Sequence, residues 1–234
     1  MRVVGVDGTL GGYVVASLEL APRGAQFASG RVSLSRVATF DDVMRAAHDA
    51  AQICVDMPIG LLDEQPARRA DLAARAALGR ARSRVFPVPP RPVVDEADYP
   101  RALALSRALT GSGISKQIFH LFPKIREVDA FVDDARVHEG HPELAFAALQ
   151  GGVHVFASKK SWNGVMHRLR LLGAAGLVVP DDEPALDGVP TDDVLDAVVM
   201  AVTAARVARG EDVRYGDEET REFDRSGRVI VIRA

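Results

Sequence analysis

Four aspartates in this chain have the positions expected of ligands for a hard divalent cation. Two of them end apolar runs: Asp7 follows Val3–Val6, and Asp56 follows Gln52–Val55. If these runs are neighbouring parallel strands, both carboxylates emerge at the same edge of a sheet, where open α/β sheets place their sites. Aspartate also favours turns, so each residue taken alone is equally explained as the end of a strand.

The other two aspartates lie in a long apolar helix predicted from Thr191 to near Gly210. Asp193 and Asp196 are three residues apart and therefore share one face of this helix. Asp193 has a second explanation, because first-turn acids suit the helix dipole. Asp196 is the only charged residue in the stretch 194–205. A buried carboxylate needs a metal or an ion-pair partner, and we favour a metal.

Converging carboxylates are the ligands of hard divalent cations, and two such ions can activate water against a phosphodiester. We predict that the cation is Mg²⁺ or Mn²⁺. Glu143 is predicted to be a further catalytic acid, although an acid in the first turn of a helix is also ordinary. A zinc site at His138 and His141 is a weaker alternative. The predicted catalytic residues are Asp7, Asp56, Glu143, Asp193 and Asp196, and the four aspartates are the predicted metal ligands.

Basic residues gather where phosphates of a substrate would suit them. The stretch 72–94 contains five arginines and no acid, although a solvated basic loop would look the same. Lys159 and Lys160 precede a predicted helix, where an anion would bind between them and the free backbone N–H groups. The predicted substrate-binding residues are Arg84, Arg91, Lys116, Lys159, Lys160 and Arg168.

Composition narrows the classes of protein that fit. The chain has 234 residues, a formal net charge of −3 and one cysteine. The charge excludes a globally basic nucleic-acid binder, and the lone Cys54 excludes an intrachain disulfide or a cysteine-rich zinc module. No secretory signal is recognisable at the N-terminus, and the apolar stretch 197–205 is too short to cross a bilayer. We therefore expect a cytoplasmic protein without a membrane segment.

The order of predicted elements indicates an α/β protein. Three strands, a helix and a strand come first, which suits an antiparallel meander joined to a parallel strand by a crossover helix. We expect a single domain over residues 1–234, with a helical insertion at about 60–135. The predicted strands are Val3–Val6, Tyr13–Leu20, Gly30–Ser35, Gln52–Val55, Arg136–His138, Val153–Ala157 and Arg228–Ile232.

Several strings together resemble a known family: VVGVDGTLGG, VDMPIGL, GISKQIF, HPELAF, SKK and DDVLDA, spread from about residue 1 to about 210. They resemble the domain of unknown function 429 family, whose members are predicted RNase H-like nucleases. The resemblance implies an RNase H-like five-stranded mixed sheet flanked by helices. It places Asp7 on the first strand, Asp56 on the fourth, and Asp193 and Asp196 on the last helix, similar to Holliday-junction resolvases. RNase H proper has a glutamate on its first helix, and the stretch 41–51 has none.

The predicted function is that of a metal-dependent nuclease acting on DNA or RNA, and a homodimer is compatible with the resolvase resemblance. An actin-like nucleotide-binding phosphotransferase is one alternative, because that superfamily also begins with an acid and glycines. Such enzymes normally need two copies of the fold. A non-catalytic binding protein is another alternative, although a binder of polyanions gains nothing from clustered acids.

Overall fold

Five strands form one mixed sheet with the order β3-β2-β1-β4-β5 in a computed structural model that describes residues 1–21, 30–64, 67–155, 157–216 and 222–234. The first three strands form an antiparallel meander, and β4 and β5 continue the sheet in parallel to β1. The strands are β1 (Arg2–Thr9), β2 (Gly12–Glu19), β3 (Ser33–Val37), β4 (Gln52–Val55) and β5 (Val137–Glu139). The predicted α/β class with a five-stranded mixed sheet flanked by helices is confirmed.

The chain divides into two compact units. The first comprises residues 1–56, 136–213 and 233–234, and it contains the whole five-stranded sheet. Its helices are α1 (Phe40–Ala46), α6 (Pro142–Leu149), α7 (Trp162–Ala174) and α8 (Thr191–Arg209), with a 3-10 turn at Pro184–Leu186. Thr39 and Asp42 form a capping box that starts α1, the crossover helix before β4.

The second unit comprises residues 57–135 and 214–232 and is largely helical. The predicted insertion at about 60–135 falls within it, and the single-domain boundary stays a prediction. Its helices are α2 (Arg69–Leu78), a 3-10 helix (Gly79–Arg84), α3 (Arg91–Val94), α4 (Tyr99–Thr110) and α5 (Lys116–Asp129). Two short strands, β6 (Arg214–Tyr215) and β7 (Ile232–Arg233), pair near the end of the chain.

Helix α8 packs across the sheet against β1, β2 and β4. Glycine permits this packing: a Cβ atom on Gly5 would lie 2.0 Å from the backbone N of Ala201 and 2.2 Å from the backbone O of Ala197. Every residue of α8 from Ala197 to Val202 is apolar and buried. Small residues on both elements therefore let the helix axis approach the strand closely, which sets where the first turns of α8 lie.

The largest differences from the predicted strands concern three of them. The third strand begins at Ser33 instead of Gly30, and the last is confined to Ile232–Arg233. Val153–Ala157 is not a strand at its described residues, and Phe156 lies outside them. An apolar, β-branched run indicates burial but not which strand edge is open for pairing. Among the described helices, none combines the length and the apolar character that crossing a membrane requires.

Candidate metal centre

The parallel pairing of β1 with β4 brings two aspartates together at one edge of the sheet. Val6 is in register with Val55, and the backbone N–H of Asp56 donates to the backbone O of Val6 at 3.0 Å. The next residues, Asp7 and Asp56, therefore emerge side by side. Asp7 is buried, and the Gly8 N–H donates to its Oδ1 at 2.7 Å, whereas Asp56 is half-buried.

Helix α8 supplies the third carboxylate. Because Ala197 lies against Gly5, the preceding residue Asp196 is held at the edge of the sheet where Asp7 lies. Asp196 is 1% exposed. One carboxylate oxygen from each of Asp7, Asp56 and Asp196 lies within 4.8 Å of the others. Residues separated by up to 189 positions thus form one cluster of oxygen ligands.

Burial and mutual repulsion disfavour ionisation of the carboxyl groups in this cluster. Burial raises the pKa of Asp7 well above its ordinary value, and the charges of Asp56 and Asp196 raise it further. Burial also raises the pKa of Asp56 to about 7, against the opposing charge of Lys159 and with the help of Glu139. The pKa of Asp196 likewise rises to about 7 through burial, opposed by Lys159. A bound cation would relieve this repulsion.

One oxygen of the cluster has no partner among the described residues. Asp196 Oδ1 is buried and accepts no hydrogen bond, while its Oδ2 contacts Lys159. The ion pair that the sequence left open as an alternative is therefore present, but it uses only half of the carboxylate. A hard cation that prefers carboxylate oxygen, such as Mg²⁺ or Mn²⁺, fits this donor set.

Lys159 reaches the cluster from the turn that precedes α7. Its Nζ lies 2.5 Å from Asp196 Oδ2 and 3.6 Å from Asp192 Oδ2. Gly164 makes room for the turn, since a Cβ atom there would lie 1.9 Å from the backbone O of Ser158. Burial opposes the charge of Lys159, but the carboxylates outweigh it and raise its pKa. Lys159 is therefore a charged ammonium held among acids.

Asp193 lies beside the cluster, outside the group of three. It is half-buried, and burial raises its pKa while a hydrogen bond from the Thr9 hydroxyl lowers it. Its charge raises the pKa of Asp7 in turn. Asp193 thus adds negative charge beside the three carboxylates, and its role as a metal ligand stays a prediction.

Sequence reasoning missed Glu139. This residue ends β5, is in register with Val55, and is buried. Its charge raises the pKa of Asp56. The signal was the one that identified Asp7 and Asp56, an acid at the end of a strand, but the string HEGHPE drew attention to the histidines. His138 Nε2 shares a hydrogen bond with Gln52 Oε1, and the three-ligand group found among the described residues contains no histidine.

Glu143, predicted to be catalytic, is buried in the first turn of α6 and forms an ion pair with Arg168. The Arg168 Nη2 lies 2.8 Å from Glu143 Oε1, and His154 Nδ1 lies 3.7 Å from Oε2. Arg168 is fully buried and packs 5.2 Å from the ring centroid of Phe146. Arg168 was predicted to bind substrate, but its side chain is turned inward and contacts Glu143. Its place near the start of α7 did not indicate which face of the helix it occupies. Glu143 nevertheless raises the pKa of Asp56 and of Asp196.

The remaining predicted substrate-binding residues belong to the second unit, apart from the exposed Lys160. Arg91 is buried and forms an ion pair with Asp129. It is therefore held within its own unit, which the basic character of the stretch 72–94 did not indicate. The Lys116 ammonium lies 5.9 Å from the ring centroid of Tyr99. A surface cavity is lined by residues of the arginine-rich stretch, namely Arg75, Ala76, Gly79, Arg80 and Arg82. Arg84 comes two residues later in the sequence.

Comparison with known proteins identifies the family. The model of "Protein of unknown function (DUF429)" matches residues 5–221. No curated protein sequence matches the chain. The Thermus thermophilus RuvC structure is similar, with 13% identity, coverage of 90% of this chain and 98% of that chain, and a TM-score of 0.39. T. thermophilus RuvC in complex with Holliday junction substrate is similar at 14% identity, with 90% and 97% coverage and a TM-score of 0.39. Because the family model covers most of its length, this chain belongs to the DUF429 family.

Proposed function

We propose that this chain is a metal-dependent phosphodiesterase that cleaves nucleic acid. The observation that carries the proposal is the meeting of Asp7, Asp56 and Asp196, whose carboxylate oxygens lie within 4.8 Å of one another. Purely structural acids are usually satisfied by cations or hydrogen bonds, and Asp196 Oδ1 is not. Raised pKa values in a group of mutually repelling carboxylates are typical of functional sites.

In this proposal Asp7, Asp56 and Asp196 hold Mg²⁺ or Mn²⁺, and Asp193, beside them, is the predicted fourth ligand. The cation would supply Lewis-acid activation of water and neutralise charge on a phosphodiester. Glu143, held by Arg168, adds negative charge beside Asp56 and Asp196, which strengthens the attraction of the site for a dication. Its fixed position suits orientation of the centre better than contact with substrate.

Substrate phosphates are held by basic residues beside the acids. Lys160 is exposed and follows Lys159 in the turn before α7. Helix α7 begins in the same turn, where the Ser161 hydroxyl accepts from the Gly164 N–H, so the turn offers a phosphate the lysine charge and the helix dipole. Arg84 and Lys116 of the second unit stay predicted substrate ligands.

The test is cleavage of single-stranded, duplex and branched DNA and RNA with Mn²⁺ or Mg²⁺. Asp7→Asn and Asp196→Asn are expected to lower cleavage by about a hundredfold or more, since each removes a charge from the centre. The matched control is Asp181→Asn, which changes an exposed acid of the same unit. Equal cleavage by Asp7→Asn and wild type would refute the proposal. Micromolar binding of ATP, without cleavage of nucleic acid, would favour the actin-like alternative instead.

A further inference from the structure

The ammonium of Lys159 would compete with a metal ion for the carboxylate of Asp196. Its Nζ lies 2.5 Å from Asp196 Oδ2, so the ammonium uses one oxygen of a residue in the three-carboxylate group. It also lies 3.6 Å from Asp192 Oδ2. The ammonium thus neutralises part of the cluster from inside it.

An ammonium and a dication repel each other when they share one carboxylate. Two positive charges about 4 Å apart oppose each other even in bulk water, and more strongly where water is excluded. Asp196 is 1% exposed, so little water screens this contact. Full occupancy by a divalent cation therefore favours a different position for the lysine head group.

The side chain of Lys159 has room to leave. It is 36% exposed, and its neighbours Ser158 and Lys160 are exposed. Four rotatable carbons connect the ammonium to a turn whose backbone is fixed by the Ser161 cap and by Gly164. The ammonium can therefore swing toward solvent while the turn stays in place.

We infer that Lys159 is the resident counter-ion of the metal-free site, that a divalent cation displaces it, and that the released ammonium then binds a phosphate of the substrate. The second step rests on the proposed function, whereas the displacement concerns metal binding alone. By linkage, substrate phosphate that captures the lysine must strengthen metal binding to the same extent that metal strengthens binding of phosphate. The lysine thus suppresses occupancy of the metal site until an anionic substrate is present.

The experiment is a calorimetric titration of Mn²⁺ into the full chain without nucleic acid, with every variant measured in the same buffer at the same pH. Lys159→Met removes the competing charge with little change of shape, and we expect Mn²⁺ to bind about tenfold more tightly. Lys159→Arg keeps the charge and should bind Mn²⁺ as weakly as wild type. Arg170→Met, which removes an exposed cation of α7, should alter affinity much less than Lys159→Met.

The outcomes separate the two proposals. Mn²⁺ binding to Lys159→Met that is equal to or weaker than binding to folded wild type would overturn the displacement while leaving the metal centre intact. Binding to Lys159→Met but not to wild type would support displacement in its strongest form. Absence of binding to every variant, with circular dichroism showing folded protein, would overturn both the displacement and the metal centre of the proposed function.

Discussion

Gly5 of β1 and Ala197 of α8 approach so closely that a Cβ atom on Gly5 would lie 2.2 Å from the backbone O of Ala197. This contact fixes the distance between the strand that carries Asp7 and the helix that carries Asp196. The strand has no tolerance for a side chain here, because the obstacle is backbone and not the flexible end of a side chain.

Gly5→Ala is therefore expected to push α8 away from the sheet and to weaken both the fold and the metal centre. Overpacking a closely packed interface costs about 1–3 kcal/mol, and backbone obstruction places this variant at the upper end. Urea unfolding and Mn²⁺ titration measure the two effects. The control is Gly173→Ala in α7, where a Cβ atom meets nothing within 4 Å. Equal midpoints for the two variants would contradict the role assigned to this contact.

Asp7→Asn should stabilise the metal-free protein while abolishing metal binding. The native carboxylate is buried beside Asp56 and Asp196, and the amide removes that repulsion while its Oδ1 still accepts from Gly8 N–H. A gain of 1 kcal/mol raises the melting temperature of a chain of this length by about 2–4 °C. Thermal unfolding at about pH 8 with a chelator tests this. A lower melting temperature would show that the charge of Asp7 supports the fold.

Stability of the metal-free protein should fall as pH rises from about 4 to above 7. The pKa of Asp56 and of Asp196 is raised to about 7 in the folded chain, so the folded state retains protons that the unfolded state has released. The stabilisation from protonation is complete below the unfolded pKa and is lost as pH passes through 7. Mn²⁺ affinity should rise over the same interval, because the metal must displace those protons. Chemical unfolding and calorimetry at matched pH values measure both trends, and a flat affinity profile would contradict the assignment of ligands.

Glu143→Gln is expected to destabilise the fold more than it weakens metal binding. The change leaves the fully buried Arg168 facing an amide at a position where an anion lies 2.8 Å away. Breaking one partner of a buried ion pair costs about 3–5 kcal/mol. Thermal unfolding paired with Mn²⁺ titration distinguishes this from a ligand role. An unchanged melting temperature with lost metal binding would make Glu143 a ligand instead.

Trp162 is an exposed aromatic side chain next to the predicted substrate-binding lysines, and it can serve as a fluorescence reporter in a test of nucleic-acid binding. It is the only tryptophan of the chain, is 76% exposed, and begins α7 two residues after Lys160. Under the proposed function an unpaired base stacks on its ring, so single-stranded oligonucleotide should quench its fluorescence. Trp162→Ala should weaken binding by about 1–3 kcal/mol, and Trp162→Phe by less. Heparin, a polyanion without bases, is the control, and quenching by heparin of the same size would refute stacking.

The three-carboxylate group was predictable because each member carried a local signal. Asp7 and Asp56 end buried runs, and Asp196 interrupts an apolar helix. The parallel pairing that brings the first two together follows from the order of strands and the crossover helix. The approach of α8 to β1 had no comparable signal, because a glycine within a strand indicates close packing without naming the partner.

The contacts of the long basic side chains could not be predicted from the sequence. Their place at the start of α7 predicted that Lys159, Lys160 and Arg168 bind an anion. Lys159 instead forms an ion pair with a nearby aspartate, and Arg168 lies on the buried face of α7. Glu139 was missed for a different reason. The strand was predicted to end at His138, one residue short, so Glu139 was not recognised as the acid that closes β5.

The packing of the first strand against the last long helix has a consequence for the order in which the chain assembles. During synthesis, β1 leaves the ribosome well before the helix that covers Gly5, because that helix begins only at Thr191. Contacts between such distant segments form late, because a long loop must close before they stabilise anything. The nascent chain therefore carries Asp7 and Asp56 without Asp196 until α8 has been made. A product truncated before Thr191 keeps the first two aspartates but lacks the third ligand of the site.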